Sequence, residues 1–243
     1  MKKMLMGLAL LTACGASPED QVAEDAAYIA GQSAAALTMG ASTGADAAEA
    51  QDMREPRAPV GVSDMSCVNI TAVPMGLNLD FGASCEVGAH VYAGDYTIVI
   101  STMTGAMVSV VFDDFAVDGV VYAGDVSVGV APGSVETHVD LTVDGATQVQ
   151  LDGQLVVAND ALTIDGAGTY ADAEHDVTIA ANGLHSEVGG CYADAGNIVI
   201  VSQGAPTATV VFDGDTPSTG IVTVTVGRVT SQQTLPATAR CPR

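Results

Sequence analysis

The chain has no tryptophan, few other aromatic residues and very little positive charge. Of its 243 residues, 4% are aromatic, and 7 Lys and Arg stand against 29 Asp and Glu, giving a formal net charge of −22. No lysine or arginine lies between Ala58 and Gly227. Proteins bind nucleic acids through cationic side chains that displace counterions, so the sequence predicts no nucleic-acid partner. Neutral ligands, cations and proteins remain as partner classes.

The N-terminal apolar segment is short. It covers residues 4–11, follows Lys2 and Lys3, and is followed by Leu11-Thr12-Ala13-Cys14. A run of this length cannot span a bilayer as a helix, and this order of positive, apolar and small residues is typical of an export signal.

Residues 1–14, MKKMLMGLALLTAC, resemble the signal peptide and lipobox of bacterial lipoproteins. The resemblance implies a signal peptide over 1–13, cleavage after Ala13, and a diacylglycerol on Cys14 that anchors the chain in the cell envelope. By the same resemblance, Gly15 in place of an aspartate implies the outer membrane more than the inner one. The alternative is an ordinary secretory signal with an incidental cysteine. Cleavage would remove Lys2 and Lys3, the only lysines in the sequence, and the mature chain could then not use lysine-based covalent catalysis.

Residues 14–61 are rich in Ala, Gly, Ser and acidic residues, and we expect them to form a flexible tether. Part of this segment repeats at helical spacing and permits a short helix over 20–37, although isolated helices of that length are marginal. The repeating positions are Val22, Ala26, Ile29, Ser33 and Leu37. The G-x-S-x-G pattern at 40–44 lacks the preceding strand that a hydrolase serine needs, so we interpret it as a chance match.

Residues 62–243 alternate between apolar and polar side chains. In 135–143, VETHVDLTV, the valines and Leu141 face one side while Glu136, His138 and Asp140 face the other. Period-two patterning with β-branched residues predicts half-buried strands. The fold class is therefore all-β: one domain, an antiparallel meander that closes as a sandwich or an open barrel.

Asx-Gly pairs punctuate this domain and favour type I′ hairpin turns, which need positive φ at both positions. They are Asp118-Gly119, Asp144-Gly145, Asp152-Gly153, Asp165-Gly166, Asn182-Gly183 and Asp213-Gly214. The order cysteine, A-G-[DN], apolar strand and VVFD occurs once after Cys85 and once after Cys191, which indicates a weak internal pseudo-repeat.

Segments LDFGASC (79–85), VVFDDFAVDGVVYAGDVSV (110–128) and CYADAGNIVIVS (191–202) resemble a set of secreted bacterial lipoproteins of mostly unknown function. Their hairpin pattern matches at Phe112, Phe115, Val117, Asp118, Gly119 and Gly124. The resemblance implies a fold and no reaction.

Four cysteines remain after Cys14, and an even number in an exported chain predicts disulfides. Three pairings are possible, and we favour Cys67–Cys85 and Cys191–Cys241 because each is local to one half of the domain. No close pair of cysteines suggests a zinc site.

Two aspartate clusters are the candidates for a metal site, and calcium is the cation that closely spaced carboxylates would bind. Their members are Asp113, Asp114 and Asp118 in the first echo, and Asp213 and Asp215 in the second. Neither cluster fits the EF-hand loop, and turn residues explain both, so we predict no cofactor and keep calcium as the alternative. The histidines, at 90, 138, 175 and 185, show no metal spacing.

No catalytic arrangement is visible in the sequence. We therefore expect a membrane-anchored, non-catalytic lipoprotein with a structural or protein-interaction role and an unidentified protein partner. The alternatives are a carrier of a small apolar ligand in a half-open β-barrel and a calcium-stabilised surface adhesion module. A hydrolase would need two carboxylates or a Ser–His pair gathered in a cleft.

Overall fold

The computed structural model describes residues 18–52 and 66–236, apart from 88–89, 102–105, 132–133, 159–160, 188–189 and 191. It contains helix α1 at Pro18–Asp52, the single-turn helix α2 at Thr216–Thr219, and fourteen strands. The strands are β1 Asn69–Val73, β2 Gly76–Asp80, β3 Cys85–Val87, β4 His90–Ser101, β5 Ala106–Val117, β6 Val120–Ala131, β7 Ser134–Val143, β8 Thr147–Ala158, β9 Ala161–Ala171, β10 Asp176–Glu187, β11 Ala195–Val201, β12 Ala208–Val211, β13 Ile221–Val226 and β14 Val229–Thr234. Within the described residues, neither helix combines the length and apolar character needed to cross a bilayer.

The strands form one antiparallel sheet that follows the chain order. Each strand pairs with the next along the sequence, except that β2 and β3 both pair with the same edge of β4. The sheet does not close on itself: β1 lies at one end and β14 at the other. The prediction of an all-β antiparallel meander is confirmed, and the sheet is open.

The two faces of the sheet differ as the alternation predicted. On β7, Val139 and Leu141 are buried while Glu136 and His138 are exposed. A continuous row of the buried face runs from strand to strand through paired residues: Ile98, Val110, Val126, Val139 and Leu151. Antiparallel sheets with one covered face show this alternation. The apolar face of this sheet therefore requires an element that covers it.

The cover is α1, and the prediction of a flexible tether is wrong for residues 18–52. The helix contacts two groups of strands along the sheet, β5 to β9 and β11 to β14. Residues over 29–38 are buried almost all the way round, including Ile29, Ala30 and Leu37. An alanine-rich helix is marginal alone, but packing against a sheet supplies the stability that propensity does not.

Small residues let the helix approach the sheet closely. Most of its buried positions are alanines, and Gly31 packs against the chain just after β14. A Cβ on Gly31 would lie 2.7 Å from Cδ of Pro236, closer than atoms can pack. The Ala and Gly content that suggested a linker instead makes room for a helix.

The Asp-Gly pairs have two different roles. Asp118-Gly119 joins β5 to β6 with φ values of 51° and 87°, as a type I′ turn requires. The prediction is wrong for Asp152-Gly153 and Asp165-Gly166, which lie inside β8 and β9. Gly153 pairs directly with Gly166, and a Cβ on Gly153 would come 2.1 Å from the carbonyl oxygen of Asp165. Close strand approach, not chain reversal, selects these glycines.

Asn182-Gly183 is also inside a strand. It lies where the register of β10 shifts against both of its neighbours, with φ of 55° at Gly183. A bulge of this kind favours glycine for the same conformational reason as a turn, so the sequence signal is similar. Asp144-Gly145 lies in the β7–β8 turn, and Asp213-Gly214 lies in the loop before α2.

A disulfide joins Cys67 to Cys85, confirming one of the two predicted pairs. It ties the residues before β1 to the start of β3 across a separation of 18 residues. By loop closure, such a bond contributes about 3 kcal/mol. Cys14, Cys191 and Cys241 lie outside the described residues, so the second pair stays a prediction.

The scarce aromatic residues are concentrated beside this disulfide. Phe81, Tyr92, Tyr96, Phe112 and Phe115 form a cluster in which ring centroids are 5.1–6.0 Å apart. Phe81 contacts three of the other rings. The aromatic residues of the matched sequence pattern therefore build a local core where β2, β4 and β5 meet.

Candidate functional site

The first predicted aspartate cluster is not gathered around a cation. Asp113 and Asp114 lie at a bulge in β5, where Asp114 has φ of 52°. Asp118, in the following turn, is directed at β4 instead: its Oδ1 accepts the N–H of Val91 at 2.8 Å, and its Oδ2 lies 2.7 Å from Nδ1 of His90. This aspartate fixes the hairpin to the neighbouring strand.

The second cluster forms a turn before α2. Oδ1 of Asp213 accepts the N–H of Asp215 at 3.0 Å and that of Thr216 at 3.1 Å. Such an arrangement is the ordinary Asx-turn role of aspartate. Across the described part of the chain, no group of three His, Cys, Asp or Glu side chains is placed to hold a metal ion.

All four histidines pair with an aspartate through Nδ1, which sequence reasoning missed. The pairs are His90–Asp118 (2.7 Å), His138–Asp152 (2.7 Å), His175–Asp172 (3.0 Å) and His185–Asp194. His138 and Asp152 are direct cross-strand partners on β7 and β8. Only Asp172 and His175 are close in the sequence, so the sequence could have predicted this one of the four pairs from its spacing.

The most buried of these pairs forms a polar site at the β9–β10 turn. The hydroxyl of Tyr170, a residue with no exposed surface, donates to Oδ2 of Asp172 at 2.7 Å. Oδ1 of Asp172 accepts the backbone N–H groups of Glu174 and His175, both at 2.8 Å. The ring of His175 also approaches Tyr28 of α1, at 6.4 Å between centroids.

The ionisation of this site follows from its contacts. Burial, together with the hydrogen bond to Asp172, raises the pKa of Tyr170 well above its ordinary value. Burial alone would raise the pKa of Asp172, but the hydrogen bonds from Glu174, Tyr170 and His175 outweigh it and lower that pKa. The site therefore holds a neutral phenol beside a carboxylate that stays charged.

A carboxylate that accepts bonds from one hydroxyl, two backbone amides and an imidazole has its lone pairs committed. It holds the chain reversal between β9 and β10 and anchors that turn beside α1. An Asp–His pair also occurs in general bases, but there the imidazole must face a group that loses its proton. The contacts of this site are those of a turn anchor.

The outer face of the sheet carries a second electrostatic feature. Each strand from β2 to β10 contains at least one Asp or Glu. Some of these acids face each other directly: Asp80 pairs with Asp95, which pairs with Asp113, and Asp125 pairs with Asp140. Like charges directly opposite each other across strands are destabilising. We call the outer face of β2–β10 the acidic face.

Strands β11 to β14 contain no charged residue at all. Their outer side carries threonines, such as Thr225 and Thr230, whose hydroxyl oxygens lie 3.1 Å apart. Three aliphatic side chains of the same face are exposed: Val201, Val211 and Ile221. We call the outer face of β11–β14 the uncharged face.

No protein-family model matches the chain, and neither a curated protein nor a solved structure was found to match it.

Proposed function

We propose that the chain is an exported bacterial lipoprotein, anchored in the cell envelope by lipid on Cys14, whose sheet is a non-catalytic structural or protein-interaction module. The observation that carries this proposal is the N-terminal sequence MKKMLMGLALLTAC, in which every part of a lipoprotein signal occurs in order. Gly15 after the cysteine favours the outer membrane.

Helix α1 limits the distance between the lipid anchor and the sheet. It begins at Pro18, so the chain from Cys14 to the helix reaches at most about 14 Å when fully extended. A lipid on Cys14 would therefore hold the sheet close to the bilayer surface, because the segment after the anchor is part of the core and not a spacer. The proposal is an anchored domain that lies near the membrane.

The packing of α1 against the apolar face of the sheet favours an interaction role over a ligand-carrying role. A carrier of an apolar ligand needs a cavity lined by the apolar inner face of the sheet. That face packs against α1, with Ala30 and Leu37 fully buried. The surface that remains for a partner is the outer face, in its acidic and uncharged parts.

Replacing the anchor cysteine tests the proposal. In the full chain, Cys14→Ala should abolish incorporation of labelled palmitate and leave an unprocessed precursor, whereas Ser17→Ala should be labelled and processed as the unchanged chain is. An inhibitor of the lipoprotein signal peptidase should reproduce the precursor. Normal processing without label in the unchanged chain would show an ordinary secretory signal and refute the anchor.

A further inference from the structure

In the described part of the chain, the sheet ends at a strand without the charges, proline or bulge that commonly protect an edge. β14, VTSQQT, has no charged residue and no proline, and within the described residues it pairs with β13 alone. Edge strands are commonly protected by charged side chains, proline or bulges because their unpaired backbone groups accept a further strand. β14 shows a regular register with β13 over all six of its residues.

The charge distribution says what can approach this edge. Two copies of a chain with a net charge of −22 repel each other over most of their surfaces. Beside β14, however, three further strands carry no charge, so the nearest acidic strand residue in the pairing order is on β10. An approach edge to edge at β14 places the uncharged strands of both copies together.

The other edge is less suitable for self-pairing. β1 is also uncharged, but its neighbour β2 carries Asp80, which faces Asp95 on β4. Two copies joined at β1 would hold their acidic rows about three strand spacings apart, roughly 14 Å. Two copies joined at β14 would hold their nearest acidic strands, β10 of each copy, much farther apart than the screening length of about 8 Å at physiological salt.

We propose that two copies of this chain associate through β14, paired antiparallel about a two-fold axis, so that the uncharged faces form one continuous surface. A two-fold arrangement uses the same patch on both copies, which suits an edge whose sequence contains no opposing charges to match. Centred on Gln232, which lies on the outer face, the axis places Gln232 of one copy opposite Gln232 of the other and Thr230 opposite Thr234. The joined sheet places eight uncharged strands side by side.

Salt should strengthen this association. Its attraction comes from backbone hydrogen bonds and apolar contact, while its opposition comes from long-range repulsion between two acidic bodies. Raising the ionic strength removes the repulsion and leaves the attraction, so the dissociation constant should fall by about tenfold from low salt to about 0.5 M NaCl. An interface built on ion pairs would respond in the opposite direction.

Disulfide trapping tests the geometry in the purified full chain, independently of whether the lipid is present. Gln232→Cys places a thiol beside the two-fold axis, and oxidation should give a covalent dimer on a non-reducing gel in higher yield than the unchanged chain. The matched control, Thr71→Cys, places an exposed thiol on β1 and should give only the background yield. Trapping at Thr71 in preference to position 232 would overturn the proposal.

Sedimentation of the same full chain tests the energetics. Gln232→Glu adds like charges beside the axis and should weaken dimerisation at least about tenfold, whereas Thr71→Glu should not. Both positions are exposed, so both variants should retain the melting temperature of the unchanged chain. A chain that remains monomeric at high salt, or a dimer that Gln232→Glu does not weaken, refutes pairing through β14.

Discussion

Strands β2–β10 and β11–β14 belong to one sheet and bury the same kind of inner face, yet their outer faces are opposites. On the inner side, Val126 and Leu151 of the first group and Ile198 and Val224 of the second are equally buried. On the outer side, one group carries an acid on every strand and the other carries none. Burial therefore determines which residues build this fold, while the outer positions are open to requirements other than folding.

The difference has an energetic side. In the acidic face, Asp95 stands between two further aspartates, and an arrangement of that kind lowers stability by a few tenths of a kcal/mol to about 1 kcal/mol per pair. In the uncharged face, Thr225 and Thr230 share a hydrogen bond across the strands. These acids add to a net charge of −22, and a large net charge of one sign keeps proteins soluble through self-repulsion.

The largest expected effect concerns the core that both groups share. Leu37→Ala should lower the free energy of unfolding by about 2–5 kcal/mol, because it leaves a cavity where a fully buried side chain stood between helix and sheet. Urea denaturation should show one transition, shifted as a whole. Glu24→Ala, an exposed position on the same helix, should change stability by less than about 0.5 kcal/mol. If Leu37→Ala lowered the free energy of unfolding as little as Glu24→Ala does, α1 would not be part of the core.

A smaller effect is expected at the β9–β10 turn, within the acidic group of strands. Asp172→Asn should lower stability by about 1–3 kcal/mol at neutral pH, because the charged acceptor of several hydrogen bonds is lost. The folded pKa of Asp172 is below its unfolded value, so its contribution is present above about pH 4 and is lost as the pH falls through the folded pKa.

The deficit of this variant should therefore shrink on acidification. Thermal melts between neutral and strongly acid pH, with the exposed Asp176→Asn as control, measure the change. A deficit that is the same at every pH would show that Asp172 acts through packing and not through its charge.

The smallest effect concerns the aspartate row of the acidic face. Asp95→Asn should raise stability by about 0.2–1 kcal/mol in low salt, since it relieves repulsion from both neighbouring aspartates, and the gain should decrease at high salt. Glu136→Gln is the control, because Glu136 faces Gly129 and Gln154 and no acid. Destabilisation by Asp95→Asn in low salt would mean that the aspartate row is favourable as it stands.

The strands could be predicted from the sequence and the helix environment could not. Alternation is a local pattern, so segments such as VETHVDLTV identified β7 directly. The helical spacing of Val22, Ile29 and Leu37 was also visible, but its apolar face is thin, and alanines read equally well as a linker. What makes the segment a core helix is its packing against strands far along the chain, which no local pattern shows.

The polar site shows the same limit. Asp213 could be assigned to a turn because the amide that it binds at Thr216 is three positions away, and Asp118 because it opens a recognisable Asp-Gly hairpin turn. The bonds of Asp118 to β4 could not be predicted. The pairing of His138 with Asp152 depends on the register between β7 and β8, which the sequence does not state. The single pair that the sequence could have revealed is Asp172 with His175, three positions apart around one turn.

The contact between Gly31 and Pro236 joins the beginning of the chain to its end, and it imposes an order on folding. Nearly every strand pairs with the one made just before it, so the meander can grow hairpin by hairpin with little loop-closure entropy at each step. Helix α1 is synthesised first, but it contacts β13 and β14, which are synthesised last. A chain emerging from its N-terminus can pack α1 against β5–β9 as these strands form, but the part of α1 that contacts β11–β14 stays uncovered until those strands are made. The complete core therefore forms only once the whole polypeptide is in one compartment.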